Sequence, residues 1–193
     1  IEFTAGRGLM TANGNITIGG GRIVTPGNYA VYAGGMAGPY VSYDSNRGII
    51  NVNVTPDGEK YVPSGNPVQI EGHIATNDLT TVGQYLLGYT EDSGIVNLAL
   101  DRPDSYWKGR AFSTTKAVLY RDMEGGWDGK DRIEDNGKIN LFLANGATWT
   151  NEGEMDFNKE YHSGMKSSIN ILQGGSSEAD RGIIHQKDTN AVS

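Results

Sequence analysis

The sequence predicts an all-β protein, built as a solenoid of stacked β-coils with loop insertions. Among its 193 residues, 15 Ile and 11 Val outnumber 10 Leu, which favours strands, because branching at Cβ suits a pleated sheet and costs rotamer freedom in a helix. Leu, Ile, Val and Phe together number only 40, just above the roughly one-fifth share below which a chain usually cannot build a core. We therefore expect short strands around a thin apolar interior.

Eight short runs are the strand candidates, each bounded by clusters of Gly, Asn, Asp or Pro. Within them, branched or aliphatic residues alternate with Asn, Gln, Glu or Ala, the pattern of a strand with one buried and one solvent-facing side. In chain order the runs are 15–18, 49–54, 68–74, 94–100, 111–120, 138–144, 168–172 and 182–185.

The spacing of these runs indicates a repeating architecture. Their apolar centres follow one another at steps of 18 to 30 residues, and a step near 20 to 25, padded by insertions, is typical of solenoids. At that step, 193 residues make eight or nine coils. The centres used are Val52, Ile70, Val96, Val118, Leu141 and Ile171.

A β-sandwich is the alternative that the pattern leaves open. Its hairpins need tight two-residue turns, which Asn13-Gly14, Asp57-Gly58, Asn136-Gly137 and Asn145-Gly146 could supply. The long and uneven spacers favour the parallel β-helix, since its loops can grow without disturbing the stack. These spacers are 76–93, 121–136 and 150–167.

Three segments resemble the passenger domains of bacterial autotransporters. Residues 138–153, KINLFLANGATWTNEG, are similar to a rung in which a strand leads through Asn-Gly-Ala to a Trp. Residues 104–111, DSYWKGRA, resemble the companion Ser, Trp and Gly rung, and residues 174–193 are similar to the next one. Together these three segments make up 44 of the 193 residues, and none carries a catalytic signature.

The resemblance implies a right-handed parallel β-helix and a single segment over 1–193, cut from a larger passenger. It implies display on the bacterial cell surface through an outer-membrane barrel outside this chain. The implied function is that of a non-enzymatic adhesin or stalk, which attaches to host or other bacterial cells or associates with itself. The implied partner is a surface protein or glycan.

The motif around Asn145 also has a physical interpretation of its own. Leu141 and Leu143 should face the interior, and Asn145-Gly146 should form a corner, because Asn and Gly adopt positive φ at little cost. Ala147 is small enough for the inside of that bend. Trp149 should cover the edge of the coil, so we expect packing roles for it and for Trp107.

Composition excludes several classes of function. The net charge of −7 disfavours nucleic acid as a partner, since its binding usually requires a basic face. No apolar run approaches the roughly 18 residues of a membrane span, so we expect no membrane contact by this segment. With no Cys, thiolate zinc sites and cysteine nucleophiles are impossible.

A search for chemistry predicts no catalytic residue, no metal site and no cofactor. His73, His162 and His185 are far apart and lack metal-ligand spacing, and His73 should be an outward surface residue. No Gly-x-Ser-x-Gly elbow is present. Residues 19–22, GGGR, lack the Lys-Ser/Thr ending of a phosphate loop, and we interpret them as a turn between strands.

Three segments carry weaker hypotheses about ligands. The acidic, Gly-rich stretch 122–137 has the hard oxygen donors that Ca²⁺ prefers, but its spacing departs from an EF-hand, so a solvated loop is the simpler interpretation. Residues 85–89, YLLGY, with Tyr40 and Tyr43, could be an aromatic contact surface. Asp101, Arg102 and Asp104 underlie the alternative function, a pectinase-like or tailspike-like enzyme, which would need two suitably spaced carboxyl groups.

Overall fold

The structure is a computed structural model, and it describes two stacked parallel sheets with short hairpins. Its described residues are 6–11, 14–34, 48–57, 60–76, 94–113, 118–121, 127–132, 137–153, 167 and 169–187. Within this part of the chain there is no α-helix, and the one helical element is the 3₁₀ turn Glu178–Asp180.

Sixteen strands run through the described residues. They are β1 (Leu9–Thr11), β2 (Gly14–Ile18), β3 (Gly21–Ala33), β4 (Gly48–Val52), β5 (Val54–Asp57), β6 (Lys60–Pro63), β7 (Val68–Thr76), β8 (Ile95–Leu100), β9 (Tyr106–Lys108), β10 (Ala111–Ser113), β11 (Val118–Arg121), β12 (Trp127–Arg132), β13 (Lys138–Leu143), β14 (Thr148–Asn151), β15 (Ile171–Gly174) and β16 (Ile183–Gln186).

Two sheets contain most of these strands, and every pairing inside them is parallel. The Trp sheet has the order β1-β3-β7-β9-β14-β16, with β10 also paired to β7. The Asn sheet has the order β15-β13-β8-β4-β2. From β2 onwards the chain visits the two sheets in turn, so each level of the stack has one strand in the Asn sheet and one or two in the Trp sheet.

The spacing between levels corrects the predicted repeat. Equivalent residues of neighbouring Asn-sheet strands lie 34, 46, 43 and 31 positions apart, and the five strands of this sheet define five levels within the described residues. The predicted step near 20 to 25 and the count of eight or nine coils were wrong. Most successive apolar runs belong to opposite sheets, so the step between them measured about half a level.

The interior lies between the two sheets and is built from columns of apolar side chains. One column of the Trp sheet contains Ile23, Ile70, Trp107, Trp149 and Ile184 in register. The rings of Trp107 and Trp149 stack with centroids 4.9 Å apart and planes 9° apart. Each indole donates a hydrogen bond to a backbone carbonyl, of Gly72 and Gly109 respectively.

Packing roles for both Trp residues are confirmed, whereas the position predicted for Trp149 at the edge of the coil was wrong. Trp149 belongs to the main buried cluster together with Trp107. A buried indole needs a partner for its N–H, and the carbonyl of Gly109 provides one. The column therefore places two large rings in a thin interior without leaving a polar atom unpaired.

A ladder of polar side chains crosses the Asn sheet on the face opposite these apolar columns. The Asn51 amide donates to Thr17 at 3.2 Å, that of Asn97 donates to Asn51 at 2.9 Å, and that of Asn140 donates to Asn97 at 2.9 Å. Asn51 and Asn97 are buried, so the expectation that this side of the strands is wet was wrong here. Their side-chain amides hydrogen-bond to each other, which offsets the cost of removing these polar groups from water.

The corner expected at Asn145-Gly146 is confirmed. Asn145 has φ 52° and Gly146 has φ 75°, and Ala147 is fully buried inside the bend. Leu141 and Leu143 face the core as predicted. Asn53 adopts the same left-handed conformation, with φ 56°, and this ends β4 before the expected limit at residue 54.

Other predicted strands needed correction. The single run 111–120 is two strands, β10 in the Trp sheet and β11 in a hairpin with β12. The run 168–172 starts late, at Ile171. The longest strand, β3, was missed because Thr25, Pro26, Gly27 and Asn28 interrupt its apolar pattern. Strands β5 and β6 form an antiparallel hairpin, in which Asp57 pairs with Lys60, while Gly58 of the predicted Asp57-Gly58 turn lies outside the described residues.

Candidate binding surface

His73 is buried, so its prediction as an outward surface residue was wrong. It does lie on the face of β7 opposite the main core, but a second buried cluster covers that face. The backbone N–H of Arg110 donates to its Nδ1 at 3.0 Å, and Phe112 contacts its ring edge to face at 5.6 Å. The apolar members of the cluster are Tyr29, Tyr32, Ala75 and Phe112.

The other histidines form no site with it in the described structure. His185 is exposed on β16, and His162 lies outside the described residues. No group of three or more metal-ligating side chains was found among the residues that the structure describes.

The charged triplet at residues 101–104 forms a structural corner. Arg102 Nε contacts Asp104 Oδ1 at 3.1 Å. Asp101 Oδ1 accepts a hydrogen bond from the Asn53 amide at 2.8 Å, and the Asp101 carbonyl accepts one from the Asn145 amide at 3.0 Å. Each carboxylate thus has a polar partner, and Asp101, at the end of β8, joins the Asn corners of the levels on either side of it, at Asn53 after β4 and Asn145 after β13.

The glycine segment at residues 19–22 is part turn and part strand. Gly19 and Gly20 link β2 to β3, which begins at Gly21. At Gly20, with φ 150°, a Cβ atom would lie 2.8 Å from the Pro67 carbonyl oxygen. The link therefore requires Gly at this position because of close backbone contact, and not to hold a phosphate.

The predicted loop sites lie mainly outside the described residues. Tyr40, Tyr43 and residues 85–89 are not among them. In the acidic stretch 122–137, residues 127–132 form β12, which pairs with β11. The stretch was expected to be a loop, and for residues 127–132 this was wrong, because they form a strand.

A flat polar surface on the outer side of the Trp sheet is the best candidate for contact with a partner. We call it the Tyr106 face and define it by Arg22, Gln69, Glu71, Tyr106 and Lys108. The side chains alternate strictly along β9, so Tyr106 and Lys108 point outwards while Trp107 enters the core. Arg22, Gln69 and Tyr106 are in register on three adjacent strands.

Polar contacts fix the geometry of the Tyr106 face. The Tyr106 hydroxyl donates to Glu71 Oε1 at 2.7 Å, and Arg22 lies 3.7 Å from the same oxygen. Lys108 Nζ lies 4.9 Å from the centre of the Tyr106 ring, within the range of a cation–π contact. The phenol is thus held in place on a rigid sheet.

The electrostatics of this face differ from those of the whole chain. Two cations, Arg22 and Lys108, accompany one carboxylate, Glu71, in a protein whose net charge is −7. Burial raises the pKa of Tyr106, and the hydrogen bond to Glu71 adds to this, whereas Arg22 lowers it. The phenol therefore remains a neutral donor at physiological pH, and the face suits a polar or acidic partner.

Sequence reasoning did not single out the Tyr106 face. Tyr106 and Lys108 were considered only as parts of a rung. The period-2 pattern of Tyr-Trp-Lys contains the signal, because it places Tyr and Lys on the side opposite a core Trp. Arg22 and Glu71 lie at least 35 residues from Tyr106 in the sequence, and only the register brings them alongside.

Among the residues that the structure describes, no helix has the length and hydrophobicity needed to cross a membrane. Comparisons with known proteins found no family model, no curated protein and no solved structure that matches this chain.

Proposed function

We propose that the chain folds as one right-handed parallel β-helix over residues 1–193 and forms a segment of a bacterial autotransporter passenger. The parallel pairing and the alternation between two sheets support the helix. Right-handedness follows from the strong preference of parallel β connections for that hand. The similarity of residues 104–111 and 138–153 to passenger rungs supports the family.

In this proposal, the chain is a non-enzymatic adhesin or stalk segment at the bacterial cell surface. The observation that carries it is the in-register stacking of Trp107 on Trp149 beneath an ordered polar face. Stacked levels with continuous columns make a stiff scaffold, and many weak contacts along such a scaffold add up to useful avidity. The partner is a protein or glycan of a host or bacterial surface, or another copy of the chain.

The Tyr106 face is the contact surface in this proposal. Tyr offers a large contact area with few rotatable bonds, and Arg22 and Lys108 beside it favour acidic groups on the partner. Asp101 and Asp104 are engaged in the contacts of a corner, so they support a structural role better than the carboxyl pair of a glycosidase.

Surface display tests this function. The chain, displayed on a non-adherent bacterium, should increase attachment to cells or aggregation of the bacteria. The variant Tyr106→Ala should reduce that gain, while Tyr61→Ala, which removes an exposed Tyr from the β5–β6 hairpin, should leave it unchanged. If display changes neither attachment nor aggregation, the adhesin function is wrong.

A further inference from the structure

The corner at Asn145-Gly146 contains the two groups that react in spontaneous deamidation. In that reaction, the backbone nitrogen of the residue after an Asn attacks the side-chain carbonyl carbon of the Asn. Gly in the second position favours the attack, because it has no side chain to hinder the approach. The Asn145 side chain is exposed, so water and hydroxide reach it. The dipeptide by itself is therefore reactive.

The fold holds the attacking nitrogen in a hydrogen bond. The backbone N–H of Gly146 donates to the Arg181 carbonyl at 2.9 Å, and that of Asn145 donates to the Asp180 carbonyl at 2.7 Å. Asp180 and Arg181 belong to the level of β15 and β16, next to the corner. The Gly146 nitrogen must lose its proton before it attacks, and an N–H bonded to a carbonyl is protected from that loss, as it is from hydrogen exchange.

The side chain of Asn145 is held from the opposite side of the corner. Its amide nitrogen donates to the Asp101 carbonyl at 3.0 Å, and Asp101 follows β8. One reacting group is thus bonded to the level before the corner, and the other is bonded to the level after it. Bringing the two groups together breaks at least one of these hydrogen bonds.

We propose that Asn145 is a deamidation site of this protein, and that the segment Asp180–Arg181 controls its rate. When this segment detaches, the Gly146 nitrogen loses its proton to hydroxide and forms a bond to Cγ of Asn145. The bond from Cγ to the amide nitrogen breaks, and ammonia leaves with a proton from water. Water then opens the cyclic imide to aspartate or isoaspartate, so water is the only co-reactant. This inference does not depend on the proposed surface function.

The products do not restore the corner. Aspartate at position 145 has no N–H to donate to the Asp101 carbonyl, and it places a negative charge beside that oxygen. Isoaspartate adds one carbon to the backbone of a bend whose inner residue, Ala147, is fully buried, and a close-packed interior does not absorb such a change without strain. Deamidation therefore makes a reversible detachment of the segment permanent.

Mass spectrometry of the 193-residue chain, kept at mildly alkaline pH, tests the proposal. Asn145 lies in the tryptic peptide 139–159, and fragmentation separates it from the other Asn residues of that peptide. A synthetic peptide of residues 142–150 gives the rate without the fold. The folded chain should react at least about tenfold more slowly, since an opening free energy of about 1.4 kcal/mol gives a factor of ten. Equal rates would overturn the proposal.

Two glycine variants test the role of the segment. A Cβ atom at Gly182, next to Arg181, would lie 2.6 Å from the Leu143 carbonyl oxygen, whereas one at Gly174 would lie 3.8 Å from the same oxygen. Gly182→Ala should displace the segment from the corner and speed the deamidation of Asn145 by about tenfold. The control Gly174→Ala should react at the wild-type rate. If Gly182→Ala reacts no faster than Gly174→Ala, the segment does not control the site.

Circular dichroism and thermal melting establish that each variant is folded. Hydrogen exchange of the Gly146 N–H, followed by NMR in the wild type, tests the same contact without a variant. We expect this N–H to be protected, and exchange at the rate of the peptide would overturn the proposal. Fast deamidation in a chain that still mediates attachment when displayed would refute this inference alone. Slow deamidation without attachment would refute the adhesin function alone.

Discussion

The middle levels of the stack and its last level have strands of the same kind in the same register, yet they differ sharply in burial. Trp107 is 0% exposed, whereas Ile184, two levels further along the same column, is 44% exposed. Trp107 lies between Ile70 and Trp149 in this column, whereas Ile184 has a column neighbour, Trp149, on one side only within the described residues. We therefore expect a side chain at the level of Trp107 to contribute more to the stability of this chain than one at the level of Ile184.

The largest difference is expected between Trp107→Ala and Ile184→Ala. Loss of Trp107 removes a fully buried ring, its stack on Trp149 and its bond to Gly72, and should cost about 3 to 5 kcal/mol of unfolding free energy. Ile184→Ala removes a half-exposed side chain and should cost less than about 1 kcal/mol. Urea unfolding measures both, and equal costs would contradict the graded stack.

A second comparison uses two glycines without positive φ. A Cβ atom at Gly94, in the middle of the stack, would clash with the Ala33 backbone, whereas one at Gly19, in the link between β2 and β3, would meet only the Asn66 side chain at 3.5 Å. We expect Gly94→Ala to cost about 1 to 3 kcal/mol and Gly19→Ala to be nearly neutral. Thermal melting checks this, and a Gly94→Ala variant as stable as wild type would show that the levels are less tightly stacked.

A third comparison uses two members of the Asn ladder, Asn97 on β8 and Asn140 on β13. Asn97 both donates to Asn51 and accepts from Asn140, so Asn97→Ala leaves buried partners unsatisfied and should cost about 1 to 3 kcal/mol. Asn140 donates one bond, and its buried Oδ1 has no hydrogen-bond partner in the described structure. Asn140→Ala should therefore cost less than Asn97→Ala in urea unfolding, and the reverse order would refute the ladder.

The smallest expected effect is the pH dependence of stability that comes from Asp180, in the turn between β15 and β16. The Ser177 hydroxyl and the backbone N–H groups of Ser176 and Ser177 hold the pKa of Asp180 well below its ordinary value of 3.8. A lowered folded pKa means that this contribution to stability is fully present above pH 3.8 and is lost as the pH falls towards the folded pKa.

Carbon-detected NMR titration measures this carboxyl directly. Asp180 should remain ionised at about pH 3, where an ordinary Asp is mostly protonated. Ser177→Ala removes the largest cause and should bring the pKa of Asp180 back towards 3.8. An unchanged titration in that variant would show that the hydroxyl does not hold the carboxylate.

The sequence predicted the parts of the fold where the alternation of apolar and polar residues matches the side chains that are buried in the structure. Strand β13 and the corner at Asn145 follow from alternation and from residues that tolerate positive φ. His73 and Asn97 were assigned to wet faces because the period gives the side of a strand, and not what covers that side. The cluster that buries His73 comes from β3 and β10, which tertiary pairing brings together.

The candidate surface was predicted less well than the fold. Tyr106 and Lys108 are close in sequence, but Arg22 and Glu71 join them only through the register of three strands. A one-residue error in that register would turn Glu71 to the other side of its strand. The alternating pattern predicts strands with polar outer faces. It does not specify the register between strands to one residue, so it cannot predict which charged side chains lie next to each other.

The parallel register is the central claim, and engineered disulfides test it most directly because the chain has no Cys. Tyr106 and Thr148 are paired across adjacent strands, at a spacing that suits a disulfide. The pair Tyr106→Cys/Thr148→Cys should oxidise to an intramolecular disulfide with the fold retained. The control Tyr106→Cys/Thr150→Cys, in which Thr150 pairs with Lys108, should remain reduced. Preferential oxidation of the control pair, or failure of both, would contradict the parallel stack.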